Sequence, residues 1–201
     1  MSAVAGAILA GGSARRFGGR PKGLELVDGQ RLVDRVAAAL GDVADDIVLV
    51  GAFPSVAATL PALRPVADEA PGAGPLGAIV SALHATGRDT IVVAWDMPLV
   101  TATELRPLIA AGREAGVVAW KVGGHAEPLC ALYRAAVAAP LAAAVAAGER
   151  SPMEALRRLR VHLVERRAND GASPFMSVNT PEQLDALRTL APTHSNPRDS
   201  T

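Results

Sequence analysis

Ala5-Gly6-Ala7-Ile8-Leu9-Ala10-Gly11-Gly12-Ser13-Ala14-Arg15-Arg16-Phe17-Gly18-Gly19-Arg20-Pro21-Lys22 is the stretch on which the fold of this chain turns. Its first six residues are an unbroken apolar run, the pattern of a strand buried on both faces. Glycines follow at 11, 12, 18 and 19. Glycine lets the main chain approach an anion closely and turn its amides toward it. Arg15, Arg16 and Lys22 bring positive charge to the same edge. In an open parallel sheet, ligands bind at the carboxyl ends of the strands. The loop therefore reads as a cradle for a phosphate chain, against the plainer reading of a flexible basic loop with no ligand. Its spacing is not G-x-x-x-x-G-K-[ST], which excludes the usual P-loop.

Outward from that strand, short apolar runs alternate with helix-like segments. Strands are expected at 47–50, 64–67 and 90–95, and helices at 31–40 (closed by Gly41), 75–85 and 103–111. Strand followed by helix, repeated, implies a mostly parallel α/β sheet with helices on both faces. Beyond residue 116 the pattern changes. Segments 117–120 and 128–133 flank Gly123-Gly124 and read as a small β-hairpin addition that walls the cleft. The alanine-rich run 135–147 reads as helix. Ser151-Pro152-Met153-Glu154 and Thr180-Pro181-Glu182-Gln183 are capping boxes that open helices, with a late strand at 161–165 between them. One domain over 1–190 is expected, followed by a polar tail, 191–201, that is expected to be disordered.

Composition fits that class. The 201 residues are half apolar but only 3% aromatic, so Ala, Val and Leu must build the core. Twenty basic and twenty acidic residues cancel, which argues against a nucleic-acid partner. The single cysteine, Cys130, excludes a disulfide framework and a cysteine-based zinc site, and reads as a small buried residue. No basic leader and no apolar run of spanning length is present, so a cytoplasmic protein with no membrane partner is expected.

Two acidic positions stand out. Asp96 ends the strand 90–95 and precedes Met97-Pro98, so its carboxylate points into the cleft. It suits a hard divalent ion shared with phosphates, or a simple turn cap. Asp68 ends the strand 64–67, ahead of Pro71-Gly72-Ala73-Gly74-Pro75-Leu76-Gly77. That run also satisfies G-x-G-x-x-G, which alone would suggest a dinucleotide-binding oxidoreductase. The fingerprint belongs in the first βα turn, however, and Pro75 removes an amide donor from it. His125, Glu127 and Cys130 lack the second cysteine that a zinc site of this kind needs.

Leu9-Ala10-Gly11-Gly12-Ser13 through Lys22 resembles the L-A-G-G-x-S-x-R-M-G-x-x-K signature of MobA-like nucleotidyltransferases, which include the molybdenum cofactor guanylyltransferase. Phe17 stands for the usual Met, and one extra residue lies before Lys22. Asp96-Met97-Pro98 matches the family's metal-binding D-x-P, and Asp68 with Gly74-Pro75-Leu76-Gly77 is similar to its Asp and G-P-L-x-G run. Glu127-Pro128-Leu129, Gly148-Glu149-Arg150 and Ser177-Val178-Asn179-Thr180-Pro181-Glu182 resemble later family stretches.

The resemblance implies a nucleotide-diphospho-sugar transferase-like, Rossmann-like fold and a Mg²⁺-dependent transfer of GMP from GTP to molybdenum-molybdopterin. It assigns catalysis to Lys22, Arg16 and Asp96. It assigns nucleotide binding to Leu9, Ala10, Gly11, Gly12, Lys22, Asp68 and Asp96, and metal binding to Asp96. It adds Asn179 beside the metal and phosphates. Arg150, Arg157 and Arg158 either attract an anionic acceptor or form a solvated helix face. Other proteins of molybdenum cofactor synthesis and apo-molybdoenzymes complete the implied partners. Gly11 follows the guanylyl branch, where cytidylyl relatives carry L-A-A-G, but Val50-Gly51 lacks the Asn of some guanylyl relatives. A cytidylyltransferase, an oxidoreductase and a catalytically silent nucleotide-binding subunit remain as alternatives.

Overall fold

A computed structural model describes residues 4–11, 21–166 and 173–190. The expected tail 191–201, and the loop residues Gly12 and Arg16, lie outside these. Strand β1 (Ala5–Leu9) is buried along its whole length. It is the hub of a seven-stranded sheet. β4 (Ile47–Val50) pairs with it in parallel on one side, followed outward by β5 (Arg64–Val66). β6 (Thr90–Ala94) pairs in parallel on the other side. A separate two-stranded ribbon, β2 (Leu26–Val27) with β3 (Gln30–Arg31), follows the glycine-rich loop.

The alternation of side chains along each strand sends two apolar sets to opposite faces. Ile8, Leu49, Ile91 and Val93 pack under α1 (Leu32–Gly41) and α4 (Ala102–Ala110). Ala7, Leu9, Val48 and Val92 pack under α3 (Gly74–Thr86) and α5 (Ala138–Ala146). Helices thus cover both faces, and the doubly buried strands read as continuous apolar runs for that reason. A short helix, α2 (Pro54–Ala57), follows β4. Pro75 and Pro140 both sit in the opening turn of their helices, where a missing N–H costs no helical bond.

Two details depart from the expected layout. Gly41 is the last residue of α1 rather than a residue beyond it, because the chain leaves through Asp42 in right-handed backbone (φ −76°). The hairpin of β7 (Val117–Val122) and β8 (His125–Tyr133) is also no appendage. β8 runs antiparallel between β6 and β7, and β9 (Val161–Glu165) closes the edge parallel to β7. α6 (Pro152–Leu156) and α7 (Pro181–Leu190) begin where the two capping motifs place them. At α7 the box is reciprocal: Gln183 N–H donates to Thr180 Oγ1 at 3.3 Å, and Thr180 N–H donates to Gln183 Oε1 at 3.1 Å. No helix among the described residues is long and apolar enough to cross a membrane.

Candidate active site

Because β5, β4, β1 and β6 are parallel, their carboxyl ends open on one edge of the sheet. Those of the sequence-predicted residues that the structure describes gather there in two groups. The first forms around Lys22. Residues 22–24 make a single 3-10 turn, in which Leu24 N–H donates to the Pro21 carbonyl and Glu25 N–H to the Lys22 carbonyl, both at 3.0 Å. The Lys22 ammonium donates to Asp96 Oδ2 and, at 2.9 Å, to Asn179 Oδ1. These three residues are separated by 74 and 157 positions along the chain, so only the fold brings them together.

Each member is held from behind. Asp96 is 6% exposed and leaves β6 in a turn closed by Met97 N–H to the Ala94 carbonyl at 3.2 Å. Its own carbonyl accepts from Val178 N–H at 2.9 Å, which ties the segment carrying Asn179 to the end of β6. That segment is clamped upstream by Phe175, whose ring centroid lies 5.6 Å from that of Trp120. Downstream, Val178 is buried with Leu184 and Leu187 of α7, against Val27 and Leu32.

The second group lies across β1. A methyl group on Gly51 would sit 3.8 Å from the Gly11 amide nitrogen and 4.0 Å from Asp68 Cβ, so the three residues adjoin. The Asp68 carboxylate accepts from Ala70 N–H at 3.0 Å and from the buried Ser81 hydroxyl at 3.4 Å, which makes it a turn cap as well as a cleft residue. The Leu9 carbonyl and Ala10 amide are taken by the sheet, from Trp95 N–H at 3.2 Å and to the Val50 carbonyl at 2.9 Å. Both side chains are buried, so these two residues shape the cleft through their backbone.

Gly72, Gly74 and Gly77 follow the edge strand β5, not the first βα turn where a dinucleotide fingerprint belongs. Gly77 lies in α3, where a Cβ would come 3.1 Å from the Ala70 carbonyl oxygen; it is glycine for close packing. A cleft of about 330 Å³ lies between residues 70–73 and 148–150 and continues from the Asp68 turn. There Glu149 accepts from the Arg150 and Ser151 amides at 2.8 Å, and these bonds hold its carboxyl below the ordinary range.

Gly23 escaped the sequence reading, and Glu127 entered it only as a rejected zinc ligand and as part of a family-like stretch. Glu127 is half-buried on β8; burial above all, with the nearby Asp96 charge, sets its carboxyl above the usual value against the opposing bond it accepts from Leu129 N–H at 3.0 Å. Gly23, next to Lys22, packs on the Trp95 ring. Cys130 is fully buried and its thiol is pushed well up by burial, which excludes it as a nucleophile. Among the described residues no three His, Cys, Asp or Glu side chains gather to hold a metal alone.

The family description "MobA-like NTP transferase domain" matches residues 6–180. A molybdenum cofactor guanylyltransferase from Cereibacter sphaeroides is 36% identical over 192 residues, covering 92% of this chain and 95% of the relative. A protein of the same name from Pseudomonas putida is 35% identical over 182 residues, covering 88% and 93%. The crystal structure of molybdopterin-guanine dinucleotide biosynthesis protein A from Archaeoglobus fulgidus superposes with a TM-score of 0.78 at 26% identity, over 92% of this chain and 97% of that one.

Proposed function

Since the chain belongs to the MobA-like NTP transferase family, we propose that it transfers GMP from GTP to the terminal phosphate of molybdenum-molybdopterin and releases pyrophosphate. One observation carries the reading: the Lys22 ammonium meets Asp96 and Asn179 at the carboxyl edge of β1 and β6. An oxygen of the acceptor phosphate attacks the α-phosphorus and forms the new P–O bond. The bond from that phosphorus to the oxygen bridging to the β-phosphate breaks, and pyrophosphate departs with the electron pair.

Such a displacement asks the protein for alignment and charge neutralisation, not for a nucleophile. Lys22 and the Gly11 amide orient the triphosphate and offset its charge, with Arg16 and Gly12 of the intervening loop assigned to the same task. Asp68 borders the nucleotide from β5. The Asp96 carboxylate and the Asn179 amide oxygen both accept from the Lys22 ammonium, so two hard oxygen donors stand side by side at this edge. Two hard oxygen donors with the balance left to phosphate and water suit Mg²⁺, so Asp96, aided by Asn179, is the residue that would hold it. When bound, the ion supplies a Lewis acid for phosphate oxygens.

The test is pyrophosphate release from each of the four nucleoside triphosphates with molybdenum-molybdopterin and Mg²⁺. GTP is expected to give the fastest release. CTP ahead of GTP would reassign the base, and no release with any of the four would refute the reading.

A further inference from the structure

Lys22 is useful only if its ammonium is delivered to one place, yet it sits on a turn of only three residues. The contact that fixes the turn lies beside it. Gly23 is buried, and a Cβ built on it would fall within the indole of Trp95, 2.5 Å from Cδ2 and 3.0 Å from Cγ. Real side-chain carbons do not approach that closely, so Gly23 meets the ring at a distance only a residue without a Cβ allows. Trp95 is 4% exposed and its Nε1 has no hydrogen-bond partner among the described residues, so packing alone sets the ring's place. Trp95 is also the residue immediately before Asp96. The floor under the lysine turn and the carboxylate that receives the lysine are therefore adjacent in one chain segment.

We propose that Gly23 and Trp95 are positioning residues, a glycine-on-indole seat that sets the height of the Lys22 turn so that its ammonium reaches Asp96 and Asn179. A side chain at Gly23 must lift the turn or displace the ring. Either movement is of the order of an ångström, a misplacement that can cost about a hundredfold in rate. The inference rests on the catalytic reading of Lys22, but its first readout needs neither nucleotide nor acceptor.

The chain holds two lysines, Lys22 and Lys121. Lys121, paired with Glu165 at 2.8 Å and 42% exposed, is an internal reference. Full-length wild type, Gly23→Ala, Trp95→Leu and the double variant would be labelled with an amine-acylating ester, and the rate at each lysine read by mass spectrometry. In wild type the ion pair keeps Lys22 slow relative to Lys121. Gly23→Ala is expected to speed Lys22 labelling by about tenfold, the consequence of an overpacked contact that breaks the pair, with Lys121 unchanged. Trp95→Leu keeps an apolar floor under the turn and makes room for the added methyl, so Trp95→Leu alone is expected to label Lys22 within about threefold of wild type, and the double variant within about threefold of Trp95→Leu.

In turnover, Gly23→Ala is expected to lose about a hundredfold in kcat with a smaller change in KM, and the double variant to regain part of it. Unchanged Lys22 labelling in Gly23→Ala, or a defect that Trp95→Leu does not relieve, would overturn the seat. If Gly23→Ala alone fails to fold, the double variant decides: slow labelling supports the proposal and fast labelling refutes it. A wild type that shows the labelling pattern but transfers no nucleotide would refute the proposed function and leave the seat standing.

Discussion

Replacing Lys22 by Met removes the ammonium but keeps an apolar stem of similar length. The charge it leaves behind is Asp96, whose side chain is 8% exposed, against 17% for Lys22. Two unit charges about 4 Å apart attract by about 4 kcal/mol at an effective dielectric of about 20, and the desolvation of both offsets much of this. Removing one partner of a fully buried pair costs about 3–5 kcal/mol, because the other charge stays without compensation. Lys22 is partly exposed, so water reaches part of the vacated place and the expected loss is about 2–3 kcal/mol. At about 2–4 °C per kcal/mol for a domain of this size, Lys22→Met should melt about 4–12 °C below wild type. Asp96→Asn, which strands the ammonium, should show a similar loss. The double variant strands neither charge and should lie within about 1 kcal/mol of wild type. Urea unfolding of the four proteins, with midpoints compared at constant m, gives the coupling energy. Losses that add to within about 0.5 kcal/mol would mean that the two side chains do not meet, and would refute the site geometry.

Three other outcomes follow from the same structure. Asn179→Ala removes the 2.9 Å bond to the Lys22 ammonium; a hydrogen bond to a charged group is worth about 1.5–3 kcal/mol, so kcat/KM should fall about 10- to 100-fold. Burial holds the Glu127 carboxyl above its ordinary value, so its native pKa exceeds the unfolded one and wild-type stability falls as pH rises through the native value. Glu127→Gln should therefore be more stable than wild type at neutral pH, with the difference vanishing below the ordinary carboxylate range in urea titrations; a difference independent of pH would contradict this. The Cys130 thiol, fully buried and raised by burial, should resist a thiol-titrating disulfide until the chain unfolds.

Much of this was legible along the chain because it is local. The apolar run before Gly11 marked the central strand, Asp96 and Asp68 marked the ends of two others, and Thr180 with Gln183 closed the reciprocal cap of α7. What the sequence concealed depends on distance. No periodicity says that β8 inserts between β6 and β7, because strand order is set by how the layers pack. Trp95 reads as an ordinary strand end until Gly23 arrives on its face from 72 positions earlier. The clamp of Phe175 on Trp120, which holds the approach to Asn179, likewise joins residues that share no local pattern. Gly41 misled because a glycine near a helix end invites a left-handed cap, and the chain here exits through right-handed backbone instead.

The most direct trial is a crystal of the full chain grown with Mg²⁺ and a GTP analogue that resists cleavage between the α- and β-phosphates. The triphosphate should lie over the end of β1, against the Gly11 amide and the Lys22 ammonium, with the ion on Asp96 and the nucleoside toward Gly51 and Asp68. Nucleotide density anywhere else, or an analogue bound with Lys22 and Asp96 facing away from its phosphates, would contradict the assignment.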